Sequence, residues 1–266
     1  MPYEDLRYET KGHVATITLD RPAARNAYST AMVTSLVAAI DAAEANDDVR
    51  CIVLTGEGKA FHAGGDLKAM RESSGMFEGG PIALRRQYID GIQCVPKRLA
   101  ACDKPIIAAI NGAAIGAGLD LACMCDLRIA ASHAKMGSTF VKVGLVPGDG
   151  GAYFLARTVG LPRAIELMLT ARIVDANEAL AIGLVTQVVE REALLGAAYT
   201  TADLIAANAP LAVRMTKRAC YRSWDGNAAD ALEMAATYQG MVQNTEDHRI
   251  AVEAILDKHA PEFVGR

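Results

Sequence analysis

The sequence predicts an α/β core followed by a helical C-terminal region. Short runs rich in β-branched residues alternate with helix-like stretches through the first half of the chain. After about Pro147 the strand signals disappear, and helical stretches follow one another. A length of 266 residues suits one large domain, because a single hydrophobic core stops growing near roughly 250–300 residues. We therefore expect a core over residues 1–200 and a helical region over residues 201–266.

A strand, a helix and a second strand open the chain. The residues Val14–Leu19 favour a strand that ends shortly before Pro22, which has no N–H to donate to a further ladder bond. Ser29 or Thr30 is the predicted N-cap of a helix whose apolar residues recur at helical spacing. The second strand is predicted over 51–55. This alternation is typical of an α/β domain.

The same order recurs further along the chain. A strand is predicted over 104–111, a short helix over 117–125 and another strand over Leu127–Ala131. The segment 71–91 contains serine, glycine and proline clusters, and we expect a mobile loop there. In the C-terminal half, helices are predicted over 151–159, 162–170, 175–182, 190–208, 210–223, 226–240 and 244–258.

The composition disfavours several classes of protein. The chain has 27 Lys and Arg against 31 Asp and Glu, the wrong sign for a protein that neutralises nucleic-acid phosphates. Its six cysteines form no CxxC pair, which indicates reduced thiols rather than disulfides or a zinc site. The most apolar stretch, 106–125, is interrupted by Asn111 and Asp120, and no export signal precedes it. We expect a cytoplasmic protein with no metal, nucleic-acid or membrane partner.

Two glycine-rich turns are the most informative features. One covers residues 60–67 and the other residues 111–120, and each follows a predicted strand. Neither matches GxGxxG or GxxxxGK[ST], so the usual phosphate loops are excluded. Glycine allows a ligand to approach the backbone closely, and the second turn leads into a helix whose first N–H groups have no intrahelical partner. One N–H from each turn can bind a single carbonyl oxygen. Tight turns and close helix packing are the alternative explanation.

Several sequence blocks together resemble the enoyl-CoA hydratase/isomerase, or crotonase, family. They occur in the family's order and spacing, and they cover nearly the whole chain. The blocks are Asp20-Arg21-Pro22 with Asn26-Ala27, then Ala63-Gly64-Gly65-Asp66-Leu67, then Asn111-Gly112 with Gly116-Ala117-Gly118, and then Gly144-Leu145, Pro147-Gly148 and Gly150-Gly151.

The resemblance implies a fold, an assembly and a substrate class. The implied fold is a crotonase-like spiral of ββα units with a helical C-terminal region, assembled as a homotrimer or a dimer of trimers. The implied substrate is an acyl-CoA thioester, so that coenzyme A is part of the substrate and no separate cofactor is needed. In the family two backbone N–H groups hold the thioester oxygen and stabilise an enolate, and these map onto Gly65 and Ala117. The implied contacts with coenzyme A are Ala24, Arg25, Ala27, Ala63, Gly64, Asp66, Leu67, Lys258 and Phe263.

The sequence departs from the family's hydratases at one catalytic position. Those hydratases place two glutamates across the double bond to position and split a water. The first position is Asp120 here, which is still acidic and is the leading candidate for the catalytic acid/base group. The second is Phe140, which can neither accept nor donate a proton. Asp149 is either a substitute acid or an N-cap of the following helix. Tyr153 is a candidate for the wall of the acyl pocket.

This departure shapes the functional expectation. Without a second glutamate, we expect a double-bond isomerase or a variant lyase or hydrolase rather than a standard hydratase. Two alternatives remain: a 2-enoyl-CoA hydratase that uses Asp120 with a substitute acid, and a non-catalytic relative that binds CoA or RNA. His62, beside the first turn, is a weaker candidate because its neighbours on the strand indicate that it points away from the site.

Overall fold

The computed structural model describes residues 3–266 and contains ten strands and twelve α-helices in that range. The strands are β1 (Leu6–Lys11), β2 (Val14–Leu19), β3 (Cys51–Gly56), β4 (Ala60–His62), β5 (Ile106–Ile110), β6 (Ala113–Ile115), β7 (Leu127–Ala131), β8 (Lys135–Gly137), β9 (Val174–Asp175) and β10 (Gln187–Val189). The helices are α1 (Thr30–Ala45), α2 (Leu67–Glu72), α3 (Pro81–Gln87), α4 (Cys94–Ala101), α5 (Ala117–Met124), α6 (Gly151–Val159), α7 (Leu161–Thr170), α8 (Ala176–Ala181), α9 (Leu194–Ala206), α10 (Pro210–Trp224), α11 (Ala228–Gln243) and α12 (Glu246–Asp257).

Two sheets share the strands. The larger has the order β1-β2-β3-β5-β7-β10, and the smaller has the order β4-β6-β8-β9. Apart from the β1–β2 and β8–β9 pairs, neighbouring strands are parallel. Successive chain segments send one strand to the larger sheet and the next to the smaller sheet, as β3-β4-α2 and β5-β6-α5 do. The fold is therefore built from repeated ββα units.

The larger sheet is buried on both faces, as parallel sheets usually are. Every residue of β3 and β5 is buried. Alternate side chains face opposite sides, so that Ile52 packs into the main core while Val53 packs against α9. Small residues of α9, including Ala198 and Ala202, are fully buried in this second cluster. The alanine-rich composition thus allows a helix to lie close to the sheet.

The C-terminal helices hold to the core mainly through polar contacts. Helices α10 and α11 bury no residue completely. From α10, Lys217 pairs with Asp126 at 2.7 Å and Tyr221 donates to the same carboxylate at 2.9 Å. Exposed apolar side chains such as Trp224, 70% exposed, remain on the outer surface.

The structure confirms the α/β class and most of the predicted elements. Ser29 is the N-cap of α1, and its Oγ accepts a hydrogen bond from the Met32 N–H at 2.9 Å. Two predictions are wrong. Strands β9 and β10 lie beyond Pro147, in the part of the chain predicted to be wholly helical. The segment 71–91 is not a loop, because it folds into short helical turns and α3.

Two further observations concern composition. Cys220 is exposed and Cys94 is partly buried, whereas Cys51, Cys102, Cys123 and Cys125 are buried. Across residues 3–266, no helix is both long and apolar enough to cross a membrane.

Candidate active site

The two glycine-rich turns lie side by side, because β4 and β6 are parallel neighbours in the smaller sheet. A Cβ on Gly64, which has φ +91°, would lie 2.7 Å from the Ile115 carbonyl oxygen and 3.4 Å from the Ala117 nitrogen. A third segment joins them, since the Tyr28 N–H donates to the Gly64 carbonyl at 3.0 Å. Only glycine permits this close approach of the two turns.

Two main-chain N–H groups at this junction face a shared cavity. Ala117 is the first residue of α5, so its N–H has no intrahelical acceptor. Within the described chain, the N–H groups of Gly65 and Ala117 make no hydrogen bond, and both residues line a cavity of about 130 Å³. Each of the two residues that line this cavity therefore has a backbone N–H without an acceptor in the described chain.

Asp149 lies in the wall of this cavity. Its side chain is buried, and neither carboxyl oxygen has a hydrogen-bond partner among residues 3–266. Helix α6 begins at Gly151 with Gly150 at the N-cap, and no side chain caps it. The helix-cap explanation of Asp149 is therefore wrong, and its carboxyl lies against the carboxyl of Asp120 rather than at the end of the helix.

Asp120 lies behind the cavity wall, in the first turn of α5. It is fully buried, both of its oxygens also lack partners in the described residues, and it is not among the cavity-lining residues. A Cβ on Gly151 would overlap its carboxyl group, so glycine is needed where α6 begins to pack against α5. Asp120 therefore lies next to Asp149 rather than in the lining of the cavity.

The two carboxyls form an electrostatic pair. Burial raises the pKa of Asp120 well above its usual range, and the nearby charge of Asp149 raises it further. Burial also raises the pKa of Asp149. Two like charges this close in a low-dielectric site disfavour simultaneous ionisation, so that one proton is retained by the pair.

Phe140 and His62 have contrasting positions. The Phe140 ring lines the cavity and covers Gly116, leaving no ionisable group at the second glutamate position. His62 is not among the cavity-lining residues. It is fully buried, its Nδ1 accepts a hydrogen bond from the Gly64 N–H at 2.9 Å, and burial lowers its pKa to about 3. His62 is therefore a neutral support for the first turn.

The structure brings together part of the CoA-contact set implied by resemblance. Ala63, Gly64 and Leu67 line the cavity. The Ala63 N–H donates to the Arg25 carbonyl at 3.0 Å, which places the segment 24–27 beside the first turn. Asp66 caps α2 by accepting from the Lys68 and Ala69 N–H groups, and it pairs with Arg21 at 3.0 Å.

Three predicted residues lie away from the cavity. Tyr153 is 46% exposed, its hydroxyl donates to Asp225 at 3.1 Å, and Arg157 stacks on its ring. The prediction that Tyr153 lines the acyl pocket is therefore wrong in the fold of this chain. Lys258 ends α12, and the Phe263 carbonyl accepts from Arg50 at 2.8 Å; neither residue lines the cavity.

Sequence reasoning missed several cavity residues. Tyr28 and Tyr88 line it beside Asp149, and Met70, Phe77 and Ile92 supply apolar wall. All of these except Tyr28 lie within the segment predicted as a loop or immediately beside it. The spacing of four between Tyr88 and Ile92 is a helical signal that could have placed both on one face. Nothing in the sequence points to Tyr28.

The fold and the cavity together define a class: proteins of repeated ββα units in which two glycine-rich turns open on one apolar cavity. The chain belongs to the enoyl-CoA hydratase/isomerase family, whose model matches residues 9–266.

Individual relatives agree with this assignment. The chain is 38% identical over 259 residues to a short-chain-enoyl-CoA hydratase of Clostridium acetobutylicum, covering 97% of each chain. It is 39% identical to a probable enoyl-CoA hydratase of Rhizobium meliloti over the full length of both. The crystal structure of an enoyl-CoA hydratase from Bacillus anthracis superposes with a TM-score of 0.93 at 32% identity, covering 99% of this chain and 100% of that one. The resemblance and the crotonase-like fold are confirmed.

Proposed function

We propose that the protein moves a proton along the acyl group of an acyl-CoA thioester, with double-bond isomerisation as its reaction. The N–H groups of Gly65 and Ala117 bind the thioester oxygen. Asp149 transfers the proton, and Asp120 lies behind it as its electrostatic partner. The observation that carries this proposal is the position of Asp149 in the cavity wall, with Phe140 where a hydratase has its second glutamate.

The oxyanion site is supported by the geometry of the two turns. Removing a proton from the α-carbon places negative charge on the thioester oxygen. Two fixed N–H donors stabilise that charge without reorganising, and one such donor contributes about 3–4 kcal/mol to transition-state stabilisation.

The isomerase assignment follows from the number of carboxyl groups that line the cavity, because Asp149 lines it and Asp120 does not. In an isomerisation one carboxylate takes a proton from the α-carbon of a 3-enoyl thioester, giving a dienolate. The same group then returns the proton to the γ-carbon, and the double bond moves to the 2-position. Asp149 suits this task because burial raises its pKa toward the range of an effective acid/base group.

Hydration is the second candidate. Relatives at 38–39% identity carry the name enoyl-CoA hydratase, and the site does contain two carboxyls. Asp149 would then activate the water, while Asp120 would supply a proton that reaches the substrate by way of Asp149. The buried position of Asp120 makes this the less direct arrangement.

The assembly belongs to the proposal as well. We infer a homotrimer or a dimer of trimers in the cytoplasm, with coenzyme A as part of the substrate. Exposed apolar side chains on the C-terminal helices, including Leu232 and Leu256, support contact between subunits. A neighbouring subunit is also the way in which Lys258 and Phe263 can contribute to CoA binding.

The test is incubation of the protein in D₂O with 2-enoyl-CoA and 3-enoyl-CoA thioesters, followed by mass spectrometry. We expect conversion between the two isomers without a gain of water, together with deuterium incorporation in those turnovers in which protonated Asp149 exchanges with D₂O before it protonates the γ-carbon. Asp149→Asn should abolish both, whereas Asp257→Asn, which changes an exposed carboxylate on α12, should change neither. A product heavier by one water would favour hydration, and full activity of Asp149→Asn would overturn the assignment of Asp149.

A further inference from the structure

The cavity of the candidate active site has an open end and a closed end. Leu67 and Val143 line the open end, and both side chains are exposed to solvent. Phe77 and Ile92 line the closed end, and both are buried. In the proposed function the large and polar coenzyme A extends from the open end, which leaves the closed end for the acyl chain.

A second and larger cavity, of about 530 Å³, lies beyond the closed end. Val33 and Val37 of α1 form one side of it, and Met76 and Cys94 lie on other sides. Its lining is mainly apolar. We call it the α1 cavity. Neither the carboxyls nor the two backbone donors of the proposed function belong to this space.

The wall between the two cavities is formed by neighbouring residues that face opposite sides. Met76 and Gln87 line the α1 cavity, whereas the next residues, Phe77 and Tyr88, line the catalytic cavity. Ile92 is the only described residue that lines both. At this point, therefore, the Ile92 side chain alone separates the two spaces.

An unusual turn holds Ile92 in the wall. Residues Tyr88–Ile92 form a π-helical turn, and the Gln93 N–H donates to the Tyr88 carbonyl at 2.9 Å. Such turns are rare and frequently occur at functional sites. Gly91, in the same turn, lines the α1 cavity, and a Cβ on it would have no neighbour within 4 Å. The turn thus places a large side chain in the wall and none in the space behind it.

We propose that Ile92 sets the length of the acyl chain that the protein binds, because it closes the catalytic cavity against the α1 cavity. The inference rests on the acyl-CoA thioester of the proposed function. An apolar cavity of about 150 Å³ holds one benzene molecule, so a cavity of about 130 Å³ suits an acyl group of roughly four to six carbons. A longer chain has to displace Ile92 from its packing. The substrate class is therefore a short-chain acyl-CoA.

The test measures binding without any reaction. Saturated butanoyl-CoA, hexanoyl-CoA and octanoyl-CoA are titrated into the protein by calorimetry, so that the result does not depend on which reaction the protein catalyses. We expect the unsubstituted protein to bind octanoyl-CoA at least about tenfold more weakly than butanoyl-CoA. Ile92→Ala should bind octanoyl-CoA at least about tenfold more tightly than the unsubstituted protein does, since each buried methylene contributes about fourfold. Its affinity for butanoyl-CoA should change by less than about threefold.

Three further variants test the route of the chain. Gly91→Leu places a side chain in the α1 cavity, so that it should cancel the gain of Ile92→Ala for octanoyl-CoA when the two are combined. Val95→Ala is the matched control, because Val95 is fully buried on α4 and lines neither cavity. It should lower the melting temperature and leave the chain-length preference unchanged. Ile92→Val removes one methyl group and should give a smaller gain, which keeps the test available if Ile92→Ala does not fold.

The outcomes separate the two proposals. A gain for octanoyl-CoA that Gly91→Leu cancels and Val95→Ala lacks supports the inference. The inference is overturned if octanoyl-CoA already binds more tightly than butanoyl-CoA to the unsubstituted protein, if neither Ile92 variant changes the ratio of the two Kd values, or if the gain persists with Gly91→Leu. The expected binding preference without conversion of any enoyl thioester overturns the proposed reaction and leaves the role of Ile92 standing. Failure to bind any acyl-CoA removes both.

Discussion

The two sides of the cavity are built on different physical grounds. On the backbone side, the turns carrying Gly65 and Ala117 are held by sterics, because a Cβ on Gly64 or Gly118 would collide with neighbouring main chain. On the carboxyl side, Asp120 and Asp149 are buried against each other, and no other group of the described chain forms a hydrogen bond with either carboxyl. Packing therefore stabilises the backbone side, whereas burial destabilises the ionised form of the two carboxyls. The glycine turns therefore fix the geometry of the site, and the buried carboxyls supply groups with shifted pKa values.

Among the substitutions considered below, the greatest loss of activity should come from disrupting the backbone side. Gly64→Ala requires a side chain at φ +91° and 2.7 Å from the Ile115 carbonyl, which displaces the turn. We expect kcat/KM to fall by about 10²–10³-fold, measured with the isomer that the protein converts. Gly183→Ala is the control, since Gly183 also has positive φ but nothing lies within 4 Å of its Cβ position. Equal activity losses in both variants would contradict the steric explanation.

Removing the buried charge tests the carboxyl side. The pKa of Asp120 is raised in the folded state, so the native protein binds its proton more tightly than the unfolded chain does. Its contribution to stability is therefore full at acidic pH and is lost as pH rises above the unfolded pKa. The loss is about 1.4 kcal/mol for each pH unit that separates the unfolded pKa from the folded one.

We accordingly expect Asp120→Asn to gain stability relative to the unsubstituted protein as pH rises from about 4 to 8. Urea unfolding at several pH values measures this difference. A difference that is constant with pH would show that the Asp120 carboxyl ionises as readily in the folded protein as in the unfolded chain.

His62 gives the backbone side the opposite pH dependence. Its pKa is lowered to about 3 by burial, so its stability contribution is present above the unfolded value of about 6.5 and is lost as pH falls toward 3. We expect His62→Gln to be less stable than the unsubstituted protein at pH 7, because the Gly64 N–H loses its fixed acceptor, by about 1–2 kcal/mol. The gap, measured by urea unfolding, should narrow as pH falls below about 6. His133→Gln, at an exposed position, should show no such narrowing.

The smallest effect should come from a residue that belongs to neither the backbone side nor the carboxyl side of the cavity. Tyr153→Phe removes a hydroxyl that bonds Asp225 on the surface, and exposed hydrogen bonds contribute little. We expect kcat/KM within about twofold of the unsubstituted protein and a stability change within about 0.5 kcal/mol. A loss of activity larger than about tenfold would return Tyr153 to the substrate site, for instance through a neighbouring subunit.

Local sequence patterns predicted those strands and helices whose apolar run or periodicity lies within the element itself. Strands β2, β3, β5 and β7 are apolar runs, and the long helices have clear periodicity. Strand β1 was missed because five of its six residues are at least partly exposed, which leaves no apolar alternation to detect. Strands β9 and β10 have two and three residues, too few for any periodic signal, and they exist through pairing with distant strands.

The glycine residues made the backbone turns of the site predictable. The positions of the side chains around the cavity were not predictable, because they depend on contacts between segments far apart in the sequence. The paired turns could be inferred from glycine positions together with the family blocks. That Asp149 lies at the cavity while Asp120 lies behind it depends on how α6 packs on α5 through Gly151, which no local pattern encodes. Tyr28 is 121 positions from Asp149 in the chain, and only the folded sheet brings them to one cavity.

The two unpartnered N–H groups at Gly65 and Ala117 also set what mutagenesis can reveal. An alanine scan leaves both groups in place, since every residue except proline keeps its main-chain N–H and position 117 is already alanine. Such a scan would register these two groups only indirectly, through a substitution such as Gly64→Ala that displaces the turn. Proline is tolerated at the first position of a helix, where the N–H is unpaired anyway. Ala117→Pro is therefore the substitution that removes this N–H donor while letting α5 begin where it does.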